Sequence, residues 1–125
     1  MSSTQVDKKV VFSDEEKQLN EVAIRKRLGS FQSAVVLITA SWCGFCRRMQ
    51  VVIDELKKTP SAGVHIEQID MSAVSSAFLR EYDVKAFPTI LRTEKGKVVK
   101  IHNSGDRSLA ALKEFAKGVG GVDPV

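Results

Sequence analysis

The sequence predicts an α/β domain, with a central mixed sheet of about five strands flanked by four helices. Three observations predict it. Residues 34–40, Ala-Val-Val-Leu-Ile-Thr-Ala, form an apolar run without alternation, as expected of a strand covered on both faces. Strand-like runs alternate with segments of helical period along the chain, the order expected of a parallel or mixed sheet with helices on each side. Near the end, two strand-like runs are separated only by Glu94-Lys95-Gly96-Lys97, a connection suited to an antiparallel hairpin.

In chain order, Val10-Val11-Phe12 gives residues 8–12 the β-branched and aromatic character of a short strand. Ser13 and Glu16 then form a capping box, and a helix is expected over residues 14–28 with Leu19, Val22, Ala23, Ile24 and Leu28 buried and Gly29 ending it. The central strand follows. From Cys46, the residues Met49, Val52, Ile53 and Leu56 recur at helical spacing, and this amphipathic helix should end before Pro60. Residues 64–70 read as the next strand. Val74, Ala77, Phe78, Leu79 and Tyr82 mark a short helix with Ser72 as its cap. Residues 89–93 and 98–102 form the hairpin, and Leu109, Leu112, Ala116 and Val119 stripe a last helix from about Ser108. The order is β-α-β-α-β-α-β-β-α.

The 125 residues, 43% of them hydrophobic, suit one domain with a single core over about 8–118, a polar extension at 1–7 and a flexible tail at 119–125. A net charge of +4, from 19 basic and 15 acidic residues, is scattered rather than striped, which argues against a nucleic-acid partner. The start of the chain lacks the apolar stretch of about 7–15 residues of a secretory signal, and no run reaches the roughly 18 apolar residues of a membrane span. A soluble, cytoplasmic protein is therefore expected, and nothing in the pattern demands more than a monomer.

Both cysteines lie in Ser41-Trp42-Cys43-Gly44-Phe45-Cys46-Arg47, at the carboxyl end of the central strand, where open α/β sheets place their sites. In a reducing compartment a C-x-x-C pair points to redox or metal chemistry rather than to a structural staple. A structural zinc site needs four ligands. Only His65 and His102 remain to complete a set, far apart and on separate expected strands, so no metal is expected. Disulfide exchange needs a thiolate, and a helix N-terminus lowers the pKa of a thiol placed there. Arg47 and Arg48 add positive charge if their side chains turn toward the sulfurs rather than out to solvent. Cys43, at or just ahead of the first turn, is then the nucleophile and the more exposed sulfur. Cys46, on the inward face, is the resolving cysteine.

The segment from Ile38 to Arg47 resembles the active-site strand and helix start of thioredoxins, and the one from Tyr82 to Thr89 resembles the cis-proline segment of that family. Gly96, Gly105 and residues 112–115 also fit, so the resemblance covers about 8–118. It implies a thioredoxin fold and a redox-active Cys43–Cys46 disulfide. It also implies a cis Phe87–Pro88 peptide facing that pair, and a substrate groove rimmed by Trp42, Gly44, Phe45, Ile69, Phe87, Pro88 and Gly105. By the same resemblance the activity is reduction of disulfides in protein substrates. No cofactor is bound, and a thioredoxin reductase or an equivalent donor returns electrons from NADPH.

The sequence departs from the family pattern at several places. Phe45 stands where a proline is usual, Leu37 where a buried aspartate is usual, Ile66 at its lysine partner and Val51 at a mid-helix proline. The stretch 70–88 is about three residues longer than is typical. These departures leave two alternatives beside the reductase: a disulfide oxidase or isomerase of the protein disulfide isomerase type, and a thioredoxin-fold binding module with minor catalysis.

Overall fold

A computed structural model describes residues 11–58 and 63–124. Its elements are α1 (Asp14–Ser30), β1 (Ser33–Thr39), α2 (Gly44–Lys58), β2 (Val64–Asp70), a 3-10 turn (Met71–Ala73), α3 (Ser76–Glu81), β3 (Thr89–Glu94), β4 (Lys97–Ile101) and α4 (Leu109–Ala116). Among the described residues the sheet has four strands in the order β2-β1-β3-β4. The β1–β2 pair is parallel, and the β1–β3 and β3–β4 pairs are antiparallel. The chain thus adopts the expected thioredoxin fold, with four strands rather than about five.

The continuous apolar run becomes β1 because a central strand has no solvent face. Ala34, Val36 and Ile38 point into one core with Ile24 and Leu28 of α1, Phe78 and Tyr82. Val35 and Leu37 point into a second with Met49, Ile53 and Leu56 of α2 and Leu112 and Phe115 of α4. Burying a side chain of this size stabilises a fold by about 1.5–3 kcal/mol, so both faces of β1 anchor the molecule.

Several local expectations need correction. Residues 8–10 lie outside the described residues, and Val11 and Phe12 form no strand. Val11 is 90% exposed and leads straight into the Ser13–Glu16 capping box. In α1 only Ile24 and Leu28 are buried. The Asn20 amide donates to the Ala73 carbonyl and the Ser75 amide donates to Glu21, so this face of the helix meets the turn before α3 while Leu19 and Val22 face solvent and Ala23 is exposed. Gly29 does not end α1, which continues to Ser30 with Phe31 as its C-cap. Instead Gly29 lies under the hairpin, where a Cβ on Gly96 would come within 3.3 Å of its nitrogen.

The cap of α3 is Ser75, which receives the Phe78 amide, whereas the Ser72 hydroxyl and amide are both held by Asp70. Val74 is buried ahead of that helix, and Ala77 is exposed. At the hairpin, Lys95 and Gly96 both have positive φ, the turn expected from the sequence. Val119 lies beyond α4 and is exposed, and Phe115 takes the buried place on the stripe. Beyond α4 the tail up to Pro124 folds back on the sheet: positive φ at Gly118, Gly120 and Gly121 turns it, and Val122 pairs antiparallel with Ile101 through two hydrogen bonds of 2.8 Å. The anticipated stop at Pro60, the extension 1–7 and Val125 lie outside the described residues.

Candidate active site

Three strand ends define the site. The register pairs Ile38 of β1 with Ile69 of β2 and with Thr89 of β3. The residues that follow or precede these ends, Ala40, Met71 and Phe87–Pro88, therefore meet at one edge of the sheet. Cys43 and Cys46 complete that cluster and are disulfide-bonded, with a Cα separation of 5.2 Å. Both are buried, Cys43 at 6% and Cys46 at 3% exposure, so the expected difference in exposure is small.

Cys43 occupies the N-cap position of α2: its carbonyl accepts the Arg47 amide at 3.1 Å, and its Sγ accepts the Cys46 amide at 3.1 Å. The sulfur thus takes the place a serine or aspartate oxygen takes at most helix starts. No acidic residue lies in the first turn of α2, so the positive end of this helix has no other anion to favour. That arrangement stabilises a Cys43 thiolate, the species that attacks disulfides.

The Phe87–Pro88 peptide is cis. Pro88 carries no amide hydrogen, and the Phe87 carbonyl oxygen lies 3.7 Å from Cys43 Sγ, within reach of a reduced thiol. Trp42 packs edge-on against Phe87 with ring centroids 5.7 Å apart and remains 67% exposed. Phe45, three residues further on, is 59% exposed. Arg48 stacks on that ring at 4.5 Å from its centroid, and Arg107, from the loop between β4 and α4, stands 6.0 Å from the same centroid. Arg107 and burial both push the pKa of His102 down, burial being the larger cause.

Of the residues expected at the groove, Trp42, Gly44, Phe45, Phe87 and Pro88 come together around the dithiol. Ile69 does not reach the rim. It is 4% exposed and belongs to the core under α1, because its strand position alternates with Gln68 and faces inward. Gly105 is exposed with no other residue close to where its Cβ would stand, two positions from the Arg107 that reaches Phe45.

Met71, packed against the dithiol, was missed by sequence reasoning, although a parallel β1–β2 register would have placed it beside Ala40. The polar contacts behind the site were missed too. Gln50, one turn past Cys46, exchanges hydrogen bonds of 2.9 and 3.2 Å with Gln68, which also donates to Thr39 Oγ1. Among the described residues no cluster of three His, Cys, Asp or Glu side chains could hold a metal ion.

A mixed sheet carrying a disulfide at the N-terminus of the helix after its central strand, opposite a cis proline, defines a thioredoxin-fold oxidoreductase. The family model described as Thioredoxin matches residues 11–118, and the chain belongs to that family. It is similar to protein disulfide-isomerase erp38 of Neurospora crassa, 31% identical over 100 residues that make up 78% of this chain and 27% of that protein. Protein disulfide isomerase-like 2-2 of Oryza sativa subsp. japonica is 32% identical over 109 residues, 84% of this chain and 29% of that one. The chain therefore spans less than a third of these curated relatives. Among solved structures, oxidised mitochondrial thioredoxin 3 of Saccharomyces cerevisiae superposes with a TM-score of 0.66 at 22% identity, over 79% of this chain and 90% of that one, a likeness of fold.

Proposed function

We propose that the protein reduces disulfides in protein substrates through a Cys43/Cys46 cycle. The Cys43 thiolate attacks one sulfur of the substrate disulfide. A bond forms between Cys43 and that sulfur, and the other substrate sulfur leaves as a thiolate and takes a proton. Cys46, one helical turn away, then attacks Cys43 Sγ and releases the second substrate thiol. Two electrons pass to the substrate, and the protein is left as the Cys43–Cys46 disulfide. A dithiol donor, such as a reductase drawing on NADPH, restores it. The fully buried Leu37 puts no carboxylate into the core behind the helix, so that position offers no base for the Cys46 thiol, whose proton balances the one the departing substrate thiolate takes up.

The observation that carries the direction is the setting of the disulfide, buried against Ala40, Met71 and Phe87. A neutral disulfide loses nothing in apolar surroundings, whereas a thiolate loses hydration there. Burial thus favours the oxidised state, and on this reading it outweighs the helix N-terminus, so the reduced protein gives its electrons up. This reading fits a reducing compartment such as the cytoplasm, and a protein acting as a monomer.

A second reading, a disulfide isomerase or oxidase, is favoured by the names of the curated relatives and by the arginines around Phe45, which stabilise the thiolate instead. The test is the reduction potential of the couple, measured by thiol titration in glutathione or dithiothreitol buffers. A value near the roughly −270 mV of thioredoxin supports the reductase, and one near the roughly −180 mV of protein disulfide isomerase overturns it in favour of the second reading.

A further inference from the structure

We propose that the dithiol selects disulfides flanked by acidic residues, through a cationic collar of Arg48 and Arg107 on the exposed ring of Phe45. This inference rests on the disulfide-exchange reading above and adds to it the chemistry of the substrate.

The collar is drawn from two elements. Arg48 comes from the first turns of α2 and Arg107 from the loop before α4, and both approach the ring of Phe45, the residue between the two cysteines. A Cβ built on Gly44 would meet Arg48 Nη1 at 3.5 Å and Arg47 Nη2 at 3.9 Å, so the guanidinium groups of Arg47 and Arg48 pass over the backbone next to Cys43. Arg47 is further held by a 2.9 Å bond from Nη1 to the Ser41 carbonyl. The side chains of Arg47 and Arg48 thus lie over residues 44 and 45, on the exposed surface between the two cysteines.

None of Arg47, Arg48 and Arg107 forms an ion pair with a carboxylate among the described residues. By contrast Arg25 and Arg27 of α1 are paired with Glu81 and Glu67. Asp106, the acidic neighbour of Arg107, is engaged by the Ser108 amide at 3.1 Å. Arg47 and Arg48, the fourth and fifth residues of α2, also stand near the positive end of the helix dipole, a local cost that a role at the site explains. Stacking on an aromatic ring orients a guanidinium while leaving its edge N–H groups free for a carboxylate. An extended segment laid along Trp42 and Phe87 with Asp or Glu beside its disulfide would meet those donors, and a basic segment would be repelled.

The test is single-turnover exchange between the reduced protein and three oxidised peptides that differ only in carrying Glu, Gln or Lys on both sides of the disulfide, followed by the fluorescence of Trp42, the single tryptophan. The reverse exchange, oxidised protein with the reduced peptides, is measured as well. The Glu peptide should react about fivefold faster than the Gln peptide at low salt, and the Lys peptide slower by a similar factor. The spread should collapse toward unity at about 0.5 M salt, and in Arg48→Gln/Arg107→Gln. Equal rates for the Glu and Lys peptides, or a spread that survives in the double variant, overturn the collar and leave the exchange reading standing. Absence of exchange with every peptide in both directions overturns both. Arg48→Gln and Arg107→Gln, each made alone, decide the matter even if the double variant is poorly folded: each should narrow the spread, and an unchanged spread in both overturns the collar.

Discussion

Leu37 shows how one residue alters the chemistry available to the site. Its side chain is fully buried among Val35, Met49, Ile53, Leu112 and Phe115, beneath the helix that carries Cys46. Ile66, half-buried against the same core, stands where a lysine would otherwise offer a partner. Leu37→Asp would therefore bury a carboxylate with no cation beside it, at a cost on the order of 3–5 kcal/mol when ionised. Burial raises the folded pKa of that carboxyl above its unfolded value of about 3.9, so the native state binds more protons than the unfolded one above that pH. Stability should consequently fall as pH rises from 4 toward the folded pKa and stay low beyond it. Urea midpoints at about pH 5 and pH 8 check this: a variant as stable as the parent at both would show that the space behind Cys46 already accommodates charge.

At the scale of elements, the C-terminal tail is the part whose order depends on the fewest positions. Gly121 has φ +89°, and a Cβ there would meet the Phe115 ring at 2.8 Å and the Ile101 carbonyl oxygen at 3.0 Å. Gly121→Ala should break the Ile101–Val122 bridge and the neighbouring Lys100–Asp123 pair. Amide exchange at Ile101 should accelerate at least tenfold while that in β1 stays slow, because the loss is local. Unchanged protection at Ile101 would show that the tail does not hold the edge of β4.

This element also marks where the sequence stopped being informative. The apolar run of β1, the capping box of α1, the stripe of α2 and the hairpin turn each express a local rule, and each appears where that rule puts it. The return of the tail depends on a long-range pairing that three glycines permit but do not announce. The same holds for Leu19 and Val22, whose exposure is set by the turn that α1 meets, and for Ile69, where strand parity rather than family position decides burial. The dithiol and Pro88 were legible because their chemistry needs those residue types. The arginine collar was not, because nothing in the spacing of Arg48 and Arg107 shows that they meet on one ring.

For the whole molecule, the redox state and the stability of the fold are linked. The same two cysteines can be oxidised in the folded or the unfolded chain, so any difference between those two potentials must reappear as a difference in stability between the oxidised and reduced proteins. A gap of 30 mV corresponds to about 1.4 kcal/mol for this two-electron couple. Burial of both sulfurs against Ala40, Met71 and Phe87 favours the neutral disulfide, whereas the helix N-terminus and the guanidinium groups favour the thiolate. If apolar burial dominates, the oxidised protein unfolds at the higher denaturant concentration, as a reductase requires. A folded couple about 60 mV below the unfolded one would make the oxidised form more stable by about 2.8 kcal/mol. If the cationic surroundings dominate, the order reverses, and the reduced protein becomes the more stable form, as in a strong disulfide donor. Denaturation of both forms in parallel, with the reduced one kept under excess dithiothreitol, measures this sign independently of any substrate. A more stable reduced form would remove the burial argument for reduction and shift the assignment to an oxidase or isomerase. Neutralising the collar should then restore the oxidised form as the more stable one.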